Sequence, residues 1–326
     1  MTRKARWWVS RGDKIGCLLC PRLCVLSVGE TGFCGARRHE SGGLSIPGYG
    51  MVTAESPDPI EKKPLYHFYP GERAWSVGFA GCNLHCPFCQ NHGIARASPD
   101  SGRFTPPSRV IDDAIRSDAG IVAYTYSEPG IHFEYLMDCA GLASSAGLKN
   151  VLVTNGNLNS KPALELLSRM DGVNIDLKSW NSKYYEETLG GNLKAVKNFI
   201  ETALAHCWVE LTTLVVPGDN DDENEIKAIS EWIATLSNNI PFHLSAYHPA
   251  HKYSRPATSA SKLKQAHDIA SEKLHFVYIG NLGIENSTRC SSCRHVLISR
   301  SVYRVRMSML GGNCPKCGVG VPGVFK

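Results

Sequence analysis

The sequence lacks any apolar run that approaches the length of a membrane span. Its basic N-terminus lacks the apolar core of a signal peptide, and the chain contains no repeats or low-complexity tracts. At 43% hydrophobic and 20% charged residues, its composition is that of an ordinary globular protein. These absences argue against a membrane-spanning protein and predict a cytoplasmic one.

Cysteine, in contrast, is abundant, with 13 residues in the chain. In a cytoplasmic protein, so many thiols indicate metal ligation and not disulfide bonds. Eleven of them form three clusters: Cys17, Cys20, Cys24 and Cys34; Cys82, Cys86 and Cys89; and Cys290, Cys293, Cys314 and Cys317. We expect the remaining two, Cys139 and Cys207, to be buried structural thiols.

The central cluster has the spacing C-x3-C-x2-C and follows an apolar run, Trp75–Ala80, which predicts a short buried strand. Thiolates bind iron–sulfur clusters, and a [4Fe–4S] cluster normally takes four of them. Three protein ligands would leave one iron open to bind and activate a small molecule. The alternative is a zinc knuckle, in which His85 would supply the fourth ligand.

Apolar, strand-like runs alternate with stretches of helical spacing between residues 74 and 280. The predicted strands are Trp75–Ala80, Ile121–Tyr126, Asn150–Thr154, Val173–Leu177, Val209–Val216, Phe242–Tyr247 and His275–Ile279. Strands separated by helices imply βαβ units with parallel pairing. Six or seven such units predict an α/β fold, either a barrel or an open part of one, with its site at the carboxyl ends of the strands.

Charge and cysteine content divide the chain into three parts. Residues 1–50 carry eight Lys and Arg against three acids, and residues 284–326 carry seven against one, so that 51–283 is acidic. We expect a cysteine-rich metal-binding module at each end of a central barrel. The basic ends also raise the prospect of contact with RNA or an acidic protein.

The terminal clusters differ in regularity. The C-terminal one consists of two C-x2-C pairs at close to zinc-ribbon spacing. Four thiolates without an open position indicate a structural metal, for which zinc is the first choice and iron, as in rubredoxin, the second. The N-terminal four lie within 18 residues and also favour one metal site. Zinc and an auxiliary iron–sulfur cluster both fit them, with a slight preference for zinc.

Over almost its whole length the sequence resembles radical S-adenosylmethionine (SAM) enzymes. It is most similar to the activating-enzyme branch, the relatives of pyruvate formate-lyase activase, and to the radical SAM enzymes of the AmmeMemoRadiSam system. The segments that carry the resemblance are Cys17–Cys24, Gly32–Gly35, Pro59–Tyr66, Gly81–Asn91, Tyr124–Pro129, Asp176–Lys178 and the C-terminal cysteine pairs.

This resemblance implies a partial (β/α)6 radical SAM barrel with a [4Fe–4S] cluster on Cys82, Cys86 and Cys89. Such a cluster cleaves SAM to methionine and a 5′-deoxyadenosyl radical. The implied SAM pocket consists of Phe88 against the adenine, Ser127 and Glu128 in a turn that faces the amino group, Asp176 and Lys178 near the ribose and carboxylate, and Thr154, Asn155 and His248 around them. Ser127 stands where the family has glycine.

The preferred function is hydrogen abstraction from a macromolecular substrate, either protein or RNA, because the metal modules exceed what glycyl-radical activation requires. The alternatives are a glycyl-radical enzyme activase and a non-catalytic iron–sulfur or zinc scaffold or electron carrier. The intact central cysteines argue against the scaffold. We expect a reductant such as flavodoxin or ferredoxin, a protein partner, and no membrane partner.

Overall fold

The computed structural model describes residues 3–301, 304–309 and 311–326. The strands in these ranges are β1 (Arg3–Lys4), β2 (Trp8–Arg11), β3 (Lys14–Cys17), β4 (Val25–Leu26), β5 (Arg38–Glu40), β6 (Gly43–Ile46), β7 (Met51–Pro59), β8 (Arg73–Phe79), β9 (Arg103–Phe104), β10 (Ile121–Thr125), β11 (Lys149–Thr154), β12 (Gly172–Asp176), β13 (Trp208–Val215), β14 (Phe242–Ala246), β15 (Val277–Gly280), β16 (Asn286–Arg289), β17 (Val296–Ser301) and β18 (Arg304–Met307). The α-helices are α1 (His92–Ala95), α2 (Pro107–Arg116), α3 (Phe133–Ser145), α4 (Ser160–Leu167), α5 (Leu193–Leu204), α6 (Glu223–Leu236) and α7 (Ala260–Ser271). No helix in this described part has the length and apolarity needed to cross a membrane.

The centre of the molecule is a nine-stranded sheet in the order β15-β14-β13-β12-β11-β10-β8-β7-β9. The seven strands from β8 to β15 in this row pair in parallel, and α2 to α7 connect them in turn. The parallel strands follow chain order, and β15 and β9 form the two edges of the sheet, so the described strands make an open, partial barrel and not a closed one. The predicted α/β fold is confirmed, and every predicted strand overlaps an observed one.

Helix α5 illustrates why these segments are helical. Its buried positions, Leu193, Val196, Phe199, Ile200 and Ala203, recur every three or four residues and face the sheet. The helix begins at the side chain of Asn192, which accepts a hydrogen bond from the Ala195 backbone amide at 2.9 Å. This local pattern explains how the sequence alone predicts the helix.

The N-terminal module contains two small antiparallel sheets, β1-β6-β5 and β2-β3-β4. Its apolar side chains, among them Ile15, Leu19 and Leu26, belong to the same hydrophobic core as the barrel. Arg37 is buried and pairs with Glu134 of α3 at 2.6 Å. A buried charge needs its partner, and removing one side of such a pair typically costs about 3–5 kcal/mol. The module is therefore fixed against α3 and is not a freely hinged appendage.

The C-terminal module is the antiparallel sheet β16-β17-β18 with a small core of its own. Arg300 of β17 contacts the segment after β7, since it donates to the Tyr66 carbonyl and lies 4.4 Å from the centre of that ring. His67 in turn contacts the Tyr278 hydroxyl of β15 at 2.6 Å. The module thus packs across the open side of the barrel. The exact domain limits, 1–50, 51–283 and 284–326, stay predictions.

Candidate active site

The carboxyl ends of the parallel strands surround a cavity of about 320 Å³. Nine of the eleven predicted cofactor-binding residues line it: Cys82, Cys86, Phe88, Cys89, Ser127, Thr154, Asn155, Asp176 and Lys178. They come from four strand ends, β8, β10, β11 and β12, that are far apart in sequence. We call this space the central cavity.

The cysteine loop is tightly anchored where it leaves β8. Gly81 has a φ of +98°, and a Cβ built there would lie 2.3 Å from the carbonyl oxygen of Cys34 in the N-terminal module. The amide of Asn83 donates to the Asn157 carbonyl at 2.8 Å and accepts from the amide of Asn155 at 2.9 Å. The loop is thereby held in position by the residues that follow β11.

The three central thiols differ in arrangement from a compact single-ion site. Cys82, Cys86 and Cys89 share the cavity, but in the described chain their sulfur atoms do not form a group within 4.8 Å of one another. His85, the proposed fourth zinc ligand, does not line the cavity, and its Nδ1 lies 3.1 Å from the Arg22 guanidinium. Burial raises the pKa of the Cys86 thiol to about 11, although Lys178 opposes this shift. Metal ligation would therefore displace the thiol protons.

Asp176 and Lys178 form an ion pair at the wall of the cavity, with 2.8 Å between the Lys178 Nζ and a carboxylate oxygen. Burial alone would lower the pKa of Lys178, but Asp176 and the Cys86 thiolate outweigh it and raise this pKa overall. The backbone after β12 is fixed because the Lys178 amide donates to the Tyr185 hydroxyl at 2.9 Å. Asp176 holds the Lys178 ammonium in place, and an ammonium can donate hydrogen bonds to a carboxylate ligand.

Glu128 does not line the central cavity, contrary to the predicted contact with the SAM amino group. Its side chain is buried, and its oxygens accept hydrogen bonds from the Gly130 amide at 2.9 Å, the Thr154 hydroxyl at 2.7 Å and the Asn155 amide at 2.7 Å. Burial raises the pKa of Glu128 to about 7, while these donors oppose the shift. These hydrogen bonds connect buried Glu128 to Thr154 and Asn155, which line the cavity.

His248 also lies outside the central cavity, because its side chain points to solvent just beyond β14. Its Nε2 lies 3.2 Å from the carbonyl oxygen of Asn281. Asn281 does line the cavity and has a φ of +63°. His248 therefore contacts the backbone of Asn281 at the rim of the cavity. Its position after a strand does not by itself reveal this contact.

The cavity is also lined by Lys62, Lys63 and Tyr126, to which the sequence pattern assigned no role. Asp58, buried at the end of β7, accepts hydrogen bonds from Lys62 at 3.0 Å, Lys63 at 2.9 Å and the Tyr126 hydroxyl at 2.8 Å. Burial raises the pKa of Asp58, but these donors prevail and hold it below its ordinary value. One sequence signal could have identified the two lysines: they lie in Pro59–Tyr66, a segment that carries the resemblance to radical SAM enzymes.

Tyr126 occupies the position before the predicted turn in a left-handed conformation, with a φ of +73°. A Cβ on Gly78 of β8 would lie 2.6 Å from the Tyr126 ring, so glycine is required there. The Ser127 hydroxyl donates to the Phe79 carbonyl at 2.6 Å. The serine that replaces the family's glycine is thus tied to the adjacent strand.

Comparison with known proteins agrees with this geometry. The profile of the Radical SAM superfamily matches residues 76–229, the part of the chain that holds the cysteine loop and the strand ends around the cavity. The chain belongs to the radical SAM superfamily. An uncharacterised protein of Methanocaldococcus jannaschii is 35% identical over 326 residues, which cover 97% of each chain.

More distant radical SAM proteins cover the barrel. The pyruvate formate-lyase-activating enzyme of Streptococcus mutans is 23% identical over 193 residues, which cover 55% of this chain and 72% of that enzyme. A solved structure of a radical SAM methyltransferase from Sphaerobacter thermophilus has a TM-score of 0.50 and 14% identity, over 65% of this chain and 67% of that one. Membership identifies the protein as a radical SAM enzyme and implies a [4Fe–4S] cluster and SAM. The narrower AmmeMemoRadiSam assignment stays a prediction.

A second cavity of about 340 Å³ adjoins the central cavity of this radical SAM barrel. The residues that line both are Lys62, Pro64, Ser245 and Asn281. The second cavity extends toward the C-terminal module, where Glu61, His243 and Arg300 line it. We call it the lateral cavity, because it lies on the open side of the barrel.

The C-terminal cysteines form a compact group. Cys290 and Cys317 have sulfur atoms 3.5 Å apart, and those of Cys293 and Cys314 are 3.6 Å apart. A tetrahedral zinc ion with Zn–S bonds of about 2.3 Å requires sulfur separations of this order. Backbone amides, chiefly that of Cys293, lower the pKa of the Cys290 thiol to about 6. The group fits a single metal ion.

Proposed function

We propose that Cys82, Cys86 and Cys89 hold the [4Fe–4S] cluster and that SAM binds beside them in the central cavity. The observation that supports this proposal most strongly is that three thiols and the Asp176–Lys178 pair line one cavity at the carboxyl ends of the barrel strands. When bound, the cluster and SAM supply a 5′-deoxyadenosyl radical that abstracts a hydrogen atom. A flavodoxin- or ferredoxin-type protein supplies the electron.

The cavity walls bind and orient SAM through distinct groups. Lys178 binds the carboxylate, because its ammonium is held at the wall by Asp176. Phe88, which is 3% exposed, gives the adenine an apolar surface. Thr154 and Asn155 present polar groups whose positions are fixed by buried Glu128. These contacts determine which end of SAM faces the cysteines.

The substrate is a segment of a macromolecule that enters through the lateral cavity. This cavity adjoins the proposed SAM site and carries charged and polar side chains. The C-terminal module, whose Arg300 lines this cavity, also exposes Arg304 and Arg306 on β18. An acidic protein or RNA segment would be attracted by these charges, and the attraction would weaken as salt shortens the Debye length to about 3 Å at 1 M.

A test measures 5′-deoxyadenosine formation from SAM, with dithionite as reductant and purified candidate partners encoded by neighbouring genes. We expect a true substrate to stimulate formation, and salt to reduce that stimulation while SAM affinity stays unchanged. The double charge reversal Arg304→Glu/Arg306→Glu should reduce it as well. The control is Lys227→Glu, an exposed lysine on α6. Salt-independent turnover of a small metabolite, unchanged by the double reversal, would contradict a macromolecular substrate.

The similarity to pyruvate formate-lyase-activating enzyme favours a second candidate, activation of a glycyl-radical enzyme. In that case the hydrogen atom comes from a glycine of a protein partner. The partner would then show a stable glycyl-radical EPR signal after incubation with SAM and reductant. Substrate modification without such a signal would favour the first proposal.

A further inference from the structure

The four N-terminal cysteines converge on one small enclosed space. Cys17 ends β3, Cys20 and Cys24 lie in the turn to β4, and Cys34 follows β4 in the chain. The Cys17 amide donates to the Cys24 carbonyl at 2.9 Å, which closes the turn around the thiols. All four side chains line a single cavity together with Leu19, Arg22, Gly32, Arg37 and Ile131. A shared cavity enclosed by four thiols indicates one metal centre.

The distances between sulfur atoms distinguish a site for a single metal ion from a site for a larger cluster. In the described residues, the C-terminal quartet is the only set of three or more Cys, His, Asp or Glu whose ligand atoms all lie within 4.8 Å of one another. No three of the four N-terminal sulfur atoms meet that limit, although they face the same cavity. A tetrahedral zinc ion with bonds of about 2.3 Å would require every pair to be closer than this.

The central cysteines provide an internal comparison. Cys82, Cys86 and Cys89 also share a cavity without forming a compact sulfur group, and their superfamily uses a [4Fe–4S] cluster. A cluster separates its thiolates because each one binds a different iron atom. The sulfur atoms of the four N-terminal cysteines have this wider spacing, whereas those of the four C-terminal cysteines have the close spacing of a single-ion site.

We infer that Cys17, Cys20, Cys24 and Cys34 ligate a second [4Fe–4S] cluster, in place of the zinc ion that the sequence slightly favours. Four protein ligands leave no open iron, so this centre does not bind SAM. The shared cavity and the wide sulfur spacing of the N-terminal cysteines carry the inference, and the central cysteines serve only as a comparison.

The second centre lies directly behind the central cysteine loop. The Arg22 guanidinium, which lines the N-terminal cavity, donates to the Asn83 carbonyl of that loop at 2.6 Å. The Cys34 carbonyl packs against Gly81, where it leaves no room for a side chain. Two paramagnetic centres separated only by this loop should broaden each other's EPR signals when both are reduced.

The deciding experiment uses the full-length protein carrying Cys82→Ala, Cys86→Ala and Cys89→Ala, reconstituted anaerobically with iron and sulfide. None of these changes touches the N-terminal ligands. We expect about four iron atoms with matching acid-labile sulfide per chain, and a [4Fe–4S] EPR signal that SAM does not alter. Zinc without iron at this centre, or a single iron without sulfide, would overturn the inference.

A complementary variant, Cys20→Ser/Cys24→Ser, should lose about four iron atoms relative to the wild type and keep the SAM-sensitive signal without its broadening. Cys207→Ser is the matched control, because Cys207 lies outside all three clusters and should leave the iron content unchanged. If Cys20→Ser/Cys24→Ser fails to fold, the triple variant still decides. A wild type that lacks any SAM effect would count against the proposed function and leave the N-terminal cluster intact.

Discussion

Lys178 is the cationic side chain that the SAM proposal depends on most. Its Nζ is held 2.8 Å from Asp176, and the pair comes from the end of β12, where parallel-strand geometry directs polar groups to the site. Since the ammonium is already positioned and partly desolvated, a ligand carboxylate can bind it at low entropic cost. The charge of Lys178 therefore matters more than its bulk.

Lys178→Ala should weaken SAM binding by about 1.5–3 kcal/mol, the range for a hydrogen bond to a charged group. Calorimetry with the reconstituted protein measures this directly. Lys227→Ala, on the outer helix α6, is the control for loss of an exposed lysine. Equal SAM affinity of the wild type and Lys178→Ala would remove Lys178 from the site.

Glu128→Gln should lower the free energy of unfolding by about 1–3 kcal/mol, because an amide cannot accept all the hydrogen bonds that the buried carboxylate accepts. Anaerobic urea denaturation measures the loss. The control is Glu201→Gln on α5, where the side chain is exposed. Identical unfolding free energies for the two variants would show that the hydrogen bonds to Glu128 do not stabilise the fold.

Glu128 also bears on pH dependence, since its pKa in the folded protein, about 7, lies above the ordinary value of 4.5. Between these values the folded state binds more protons than the unfolded state, so the stability contributed by this group falls as pH rises. Urea denaturation at pH 5 and pH 7.5 should show this loss in the wild type and a smaller one in Glu128→Gln. An equal loss in both proteins would contradict the assignment.

At the residue scale, the sequence places Asp176 and Lys178 at the carboxyl end of a parallel strand, and in the structure both line the central cavity. Glu128 and His248 also follow strand ends but do not line the cavity, since a strand-end position does not determine whether a side chain points into the cavity, beneath its wall or out to solvent. Tyr126 escaped assignment because its left-handed φ and its bond to Asp58 depend on β7, a distant strand.

At the scale of elements, the barrel strands were predictable because buried parallel strands are apolar runs bounded by turn residues. The packing of the N-terminal module was not, because it rests on long-range contacts such as the buried pair between Arg37 and Glu134. Gly81 belongs to both the barrel and its contact with the N-terminal module, since it begins the cysteine loop after β8 and contacts Cys34 of that module.

Gly81→Ala should destabilise the loop, because an added Cβ would meet the Cys34 carbonyl and the left-handed backbone alone costs about 1–2 kcal/mol. We expect reduced iron incorporation at the central site, measured as the SAM-sensitive EPR signal per chain. Gly93→Ala in α1 is the matched control, because nothing lies within 4 Å of a Cβ built there. Equal signals from the two variants would contradict the close-packing argument.

At the scale of the whole molecule, the chain has one cysteine cluster at the carboxyl ends of the barrel strands and one in each terminal module. The C-terminal module has its own small core and contacts the barrel through Arg300. So small a core supplies little stability by itself, and a bound metal should supply much of the rest. The sequence predicted this module from its spacing but not its place across the open side of the barrel.

Cys293→Ser/Cys314→Ser in the full-length protein should lose one metal ion, which we expect to be zinc, and leave the iron–sulfur content unchanged. Limited proteolysis should then cut within residues 284–326 faster than in the wild type, because the unliganded module opens. Cys139→Ser is the control for removal of a buried thiol outside the clusters. Unchanged zinc content and unchanged proteolysis would contradict a structural metal at this site.

The most direct test of the central claim is the EPR spectrum of the reduced, anaerobically reconstituted protein with and without SAM. We expect SAM to shift the signal of the wild type, because SAM binds the iron that Cys82, Cys86 and Cys89 leave open. The variant in which all three are alanine should show no SAM-dependent change, whatever signal the N-terminal centre contributes. A SAM-shifted cluster signal that persists in this triple variant would contradict the account.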